Sequence, residues 1–98
     1  MLEKDIERKI CEYAKLNNVE HYKFTSTNRA AVPDRMFIST SGHIWFCEFK
    51  REGQKPTPAQ GREHLRMRSR GVTVYVIDNV DDGKAMIDKE AGLLGWFK

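Results

Sequence analysis

The segment His43–Lys50, HIWFCEFK, constrains this chain more than any other. Side chains alternate along a strand, so Ile44, Phe46, Glu48 and Lys50 share one face while Trp45, Cys47 and Phe49 share the other. A strand apolar on both faces must be covered on both, yet this one ends with a carboxylate and an ammonium side by side. Desolvating such charges is costly, so they call for a partner.

Turn geometry predicts that partner. A three-residue turn, Thr40-Ser41-Gly42, with Gly42 in the left-handed conformation, pairs Ser39 with His43. The same register carries Asp34 to the position opposite Glu48, on the same face, with Cβ atoms ~5 Å apart. A two-residue turn would send the two carboxylates to opposite faces. Pro33 fixes the chain as it enters the strand. Two carboxylates and the backbone carbonyl of Phe49 make a hard oxygen site suited to Mg²⁺ or Mn²⁺. With Lys50 on the same face, these are parts for metal-assisted phosphodiester hydrolysis: a Lewis acid, a positioned water and charge neutralisation.

The rest of the chain supplies a frame. Leu2, Ile6, Ile10, Tyr13 and Ala14 recur at helical spacing and predict a helix over 2–17, ended by Asn17-Asn18. A short strand is expected at 20–25, a polar loop over 25–32, and strands at 35–40 and 43–50. Thr57-Pro58-Ala59-Gln60 has the form of a capping box with Pro at the first helical position, opening a helix to Arg70 that Gly71 stops. Val72–Ile77 is a continuous β-branched and aromatic run, expected to be covered on both faces. Asp81 or Asp82 is expected to cap a third helix through Glu90. The order α-β-β-β-α-β-α predicts a single α/β domain over residues 1–98, with a mixed sheet flanked by helices and residues 91–98 as an apolar C-terminal extension.

Composition narrows the function classes. The net charge is only +3, but Lys50–Arg70 holds seven bases against two acids, while Asp78–Glu90 holds five acids against two bases. The basic stretch suggests a polyanion, most commonly nucleic acid; a solvated helix face is the bland alternative. Cys11 and Cys47 are far apart and no CxxC or spaced Cys/His set is present, which argues against structural zinc and disulfides and fits a reducing, cytoplasmic setting. No apolar run of about 18 residues is present, and no membrane partner or secretory leader is expected.

The bare pattern Asp/Glu-x-Lys occurs three times, at Glu7-Arg8-Lys9, Glu48-Phe49-Lys50 and Asp82-Gly83-Lys84. The first falls on a helix and the last in an acidic turn; only the middle one ends an apolar strand with Pro-Asp one hairpin upstream. Together with Val32-Pro33-Asp34-Arg35, Trp45–Lys50 and Lys55-Pro56-Thr57-Pro58-Ala59-Gln60, it resembles the VRR-NUC branch of the PD-(D/E)XK nuclease superfamily, nearest to short stand-alone members of phages and prophages. The likeness runs from Glu3–Glu7 through Lys23–Ser26 to Val74–Asp78 and leaves out the last dozen residues. Arg29-Ala30-Ala31 departs from the glycine-rich approach expected before Pro-Asp. The resemblance implies a restriction-endonuclease-like core and metal-dependent DNA cleavage. It implies metal binding by Asp34 and Glu48, a catalytic role for Lys50, an accessory role for a first-helix glutamate and a helix glutamine at Gln60.

Among the first-helix acids Glu7 is the best candidate to hydrogen-bond a metal-bound water, because it flanks the buried stripe beside Ile10; it also reads as a dipole-compensating acid. Glu12 sits among Arg8, Lys9 and Lys15, and Glu3 lies at a fraying start. Gln60 completes the capping box and can serve the site as well. His64 reads as a phosphate or solvent contact before a general base, and His21 and His43 as surface residues. Arg62, Arg66 and Arg70 form one helical stripe that can track a phosphate backbone, and Lys23, Ser26, Arg29, Arg35, Arg51 and Lys55 are further DNA-binding candidates. Trp45 and Trp96 read as core or interface rather than base-stacking groups.

The expected activity is an Mg²⁺- or Mn²⁺-dependent DNA endonuclease acting on branched or junction-like substrates. The alternatives are a non-catalytic DNA-binding or assembly module on the same fold and an RNA-directed nuclease, although no RNA-reading signature is present. Leu93, Leu94, Trp96 and Phe97 predict a symmetric homodimer, unless the tail folds back over its own sheet.

Overall fold

A computed structural model of the chain describes residues 1–92. Helix α1 spans Glu3–Leu16 and buries Ile6, Ile10, Cys11 and Ala14 along one stripe. Asn17 caps its C-terminus and Asn18 takes a left-handed φ of 60°, which turns the chain sharply into the first strand. Strands β1 (Glu20–Lys23), β2 (Arg35–Ile38) and β3 (Ile44–Phe49) follow as an antiparallel meander. Helix α2 (Pro58–Ser69) carries the chain over to β4 (Val74–Ile77), which pairs parallel to β3, and α3 (Val80–Glu90) closes the fold. The sheet is mixed, in the order β1-β2-β3-β4, as the element order predicts.

The hairpin has the expected register. Arg35 pairs with Cys47, Phe37 with Trp45 and Ile38 with Ile44. Ser39 N–H donates to the His43 carbonyl across a turn in which Gly42 has φ 85°. One face of the sheet, bearing Phe37, Trp45, Cys47 and Phe49, is fully buried under α1 and α3. Each of these large side chains contributes roughly 1.5–3 kcal/mol by leaving water. Trp45 stacks on Phe37 at 5.5 Å, so it belongs to the core.

Helices α1 and α3 approach so closely that a Cβ on Gly83 would fall 2.0 Å from Ile10 Cδ1. That approach requires glycine inside a helix despite its poor propensity. Asp82-Gly83-Lys84 is therefore helical, not the turn expected. The cap of α3 also differs from expectation. Asn79, not Asp81 or Asp82, is the N-cap, its side chain accepting from Asp82 N–H, and both aspartates fall in the first turn, where their charge opposes the helix dipole.

Helix α2 is built differently. Thr57 and Gln60 form the reciprocal capping box and Pro58 occupies the first turn. The helix has no apolar stripe: His64 is its one buried residue, and Leu65 faces solvent. It leans instead on polar contacts, with Arg68 donating to the Val74 carbonyl at 2.6 Å. No helix among the described residues is long and apolar enough to cross a membrane. Leu93, Leu94, Trp96 and Phe97, on which the expected dimer patch rests, lie outside the described residues.

Candidate active site

The C-terminal end of β3 is where charge gathers. Asp34 continues the β2 ladder, since its carbonyl accepts from Phe24 N–H and its Oδ2 accepts from Phe49 N–H at 2.8 Å. The register extended by one residue sets Asp34 against Glu48, on the sheet face under α2. Glu48 is only 3% exposed although it is a carboxylate. Burial, and then the charge of Asp34, raise its pKa from the ordinary carboxylate value to about 8, with Lys50 opposing. Lys50 Nζ stands 3.9 Å from Glu48 Oε2. Gln60 does two things at once: its Oε1 accepts from Thr57 N–H at 3.0 Å, and its Nε2 donates to Glu48 Oε2 at 3.2 Å.

Asp34, Glu48, Lys50 and Gln60 are thus brought together, beside the Phe49 backbone. Glu7 is not among them. Its Oε2 accepts from Arg35 Nε at 2.6 Å on the opposite sheet face, next to Cys11 and His21. The first-helix acid whose charge reaches Glu48 is Glu3, at the start of α1. Glu3 and Glu7 lie one turn apart on the same helical face, so spacing alone cannot separate them.

His64 is the residue that the sequence reading placed elsewhere. It is 1% exposed, with Nε2 3.6 Å from Glu48 Oε1. The available signal was its position one turn beyond Gln60, which the capping box ties to this end of the helix. His43 is exposed and its Nε2 lies 2.7 Å from Glu90 Oε1; His21 is half-buried beside Arg35.

The candidate DNA contacts separate into two groups. Lys23, Arg51, Lys55, Arg62, Arg66 and Arg70 are exposed. Arg35 is taken up by Glu7, Ser26 donates to Asn28 Oδ1, and Arg29 reaches Glu63 Oε1 at 3.3 Å. Arg66 Nε comes within 3.6 Å of the same Glu63 oxygen. Glu63 therefore links the loop before Pro33 to α2.

No family-wide sequence profile matches the chain. It is 43% identical over 72 residues to "Putative nuclease p44" of Acyrthosiphon pisum secondary endosymbiont phage 1, a match covering 74% of this chain and 76% of that protein. A solved structure described as a VRR_NUC domain superposes with a TM-score of 0.81 at 32% identity, over 88% of this chain and 94% of the other. A second, described as a VRR_NUC domain protein, gives 0.73 at 17% identity, over 95% and 90%, and is similar in fold.

Proposed function

The chain belongs to the VRR_NUC family of nucleases, and from that premise we propose that it is an endonuclease hydrolysing phosphodiester bonds of DNA with bound Mg²⁺ or Mn²⁺. The observation that carries this reading is the Asp34–Glu48 pair at the end of β3 with Lys50 beside it.

The donor set fits a hard divalent cation. Two carboxylates on one face repel each other, and the buried Oε1 of Glu48 lacks a hydrogen-bond partner. Among the described residues no group of three or more His, Cys, Asp or Glu is placed to hold an ion. Ligation by a carboxylate pair suits Mg²⁺, which keeps several waters and uses substrate oxygens, whereas zinc prefers nitrogen and sulfur. Asp34, Glu48 and the Phe49 carbonyl would hold the ion. When bound it supplies Lewis-acid activation of the phosphate and of the attacking water.

The remaining work belongs to the chain. Lys50, half-buried beside Glu48, orients the water and offsets negative charge on the scissile phosphate. Gln60 fixes the rotation of the Glu48 carboxylate through Oε2. Glu3 takes the accessory role expected of a first-helix acid, holding a water, while Glu7 anchors Arg35. Lys23, Arg51, Lys55, Arg62 and Arg66 track the backbone, with Ser26 and Arg29 on the loop beside them. A symmetric homodimer, read by light scattering, would set two such sites on one branched DNA inside the infected cell.

The test is incubation of labelled four-way junctions, flaps and linear duplex with and without Mn²⁺, using wild type, Asp34→Ala, Glu48→Ala and Lys50→Ala. Cleavage is expected only with metal, preferentially on branched DNA, and to fall by at least about 100-fold in each variant. Wild-type rates in Glu48→Ala overturn the assignment, and DNA binding without any cleavage identifies a non-catalytic module.

A further inference from the structure

We propose that His64 is a positioning residue of this centre: its Nε2–H donates to Glu48 Oε1 and sets the plane in which that carboxylate meets the cation. The inference rests on the metal-hydrolysis reading and extends it to a residue on α2.

The first ground is how α2 docks. A surface helix ordinarily packs through an apolar stripe, but the one buried side chain of α2 is an imidazole. An apolar residue would fill that place at lower desolvation cost, so the ring is there for its nitrogen. The second ground is hydrogen bonding. Three buried side-chain polar atoms among the described residues lack a partner: Trp45 Nε1, Glu48 Oε1 and His64 Nε2. The last two face each other at 3.6 Å, just beyond hydrogen-bond reach, so a small rotation of either group satisfies both.

Glu48 is then held on both oxygens by one helix. Gln60 takes Oε2, and His64, one turn further along α2, takes Oε1. The capping box sets the start of α2 and therefore the height of both residues against β3. With Nε2 buried against Glu48, His64 has no open path to a substrate water and is not the general base.

Mn²⁺ affinity, read as free Mn²⁺ by electron paramagnetic resonance, tests this without reference to cleavage. His64→Phe keeps the ring volume and removes the donor; it should weaken Mn²⁺ binding by about 10–100-fold, the usual effect of losing a group that orients a metal ligand. His64→Gln restores an N–H and should return affinity to within about threefold of wild type. Unchanged Mn²⁺ binding in His64→Phe overturns the proposal while leaving the metal reading intact. A wild type that binds no Mn²⁺ overturns both. Should the Phe variant fail to fold, ¹⁵N imidazole shifts of wild type in saturating Mg²⁺ decide: the Nε2–H tautomer is expected at His64, and the Nδ1–H tautomer overturns the assignment.

Discussion

Glu48→Gln probes the electrostatics of the site without any substrate. In the metal-free protein the Glu48 carboxyl ionises at about 8, whereas in the unfolded chain it ionises near 4.5, its ordinary value. Between those pH values the folded state holds a proton that the unfolded state has released. The stabilising contribution of this neutral buried acid is complete below about pH 4.5 and is lost as pH rises through about 8. One proton changes the free energy of unfolding by at most about 1.4 kcal/mol per pH unit, so the window allows several kcal/mol as a ceiling. The coupled Asp34 and Lys50 reduce it, and about 2 kcal/mol is the expected size. The glutamine variant keeps the shape and cannot ionise. Urea unfolding in EDTA at pH 5 and pH 8.5 should show the variant close to wild type at the lower pH and about 2 kcal/mol more stable at the higher one. A difference between the two proteins that does not change with pH refutes the buried-carboxylate account.

Gly83→Ala should destabilise the fold by about 1–3 kcal/mol, lowering Tm by several degrees in a thermal melt, because its methyl meets Ile10 at 2.0 Å; an unchanged Tm would mean the two helices can separate freely. Glu3→Gln should reduce cleavage with little loss of stability, while Glu7→Gln should cost about 1–3 kcal/mol by leaving Arg35 half-buried without its partner; the reverse pattern in rate and urea midpoint would return the accessory role to Glu7. Replacing Arg62 and Arg66 with Ala should lower DNA affinity and reduce the slope of log K against log salt by about one per lost phosphate contact, and an unchanged slope would mark the stripe as merely solvated.

Everything that depends on short-range periodicity was legible in the chain itself. Helical spacing placed α1, the Thr57–Gln60 pattern placed the start of α2, and the Gly42 turn set the hairpin register. From that register alone Asp34 falls opposite Glu48, because alternation along a strand and the length of a turn are local geometry. What the chain could not specify by itself is where one element crosses another. Glu3 and Glu7 are equivalent on a helical wheel, and only the docking of α1 across the sheet decides which turn meets the end of β3. His64 looks like a solvated histidine on a basic helix until α2 packs down and seals it against Glu48. Arg35 and Arg29 look like free cations until Glu7 and Glu63 arrive from helices 28 and 34 residues away in sequence. Each of these is a long-range contact between side chains whose local patterns permit several partners, and only tertiary packing selects one.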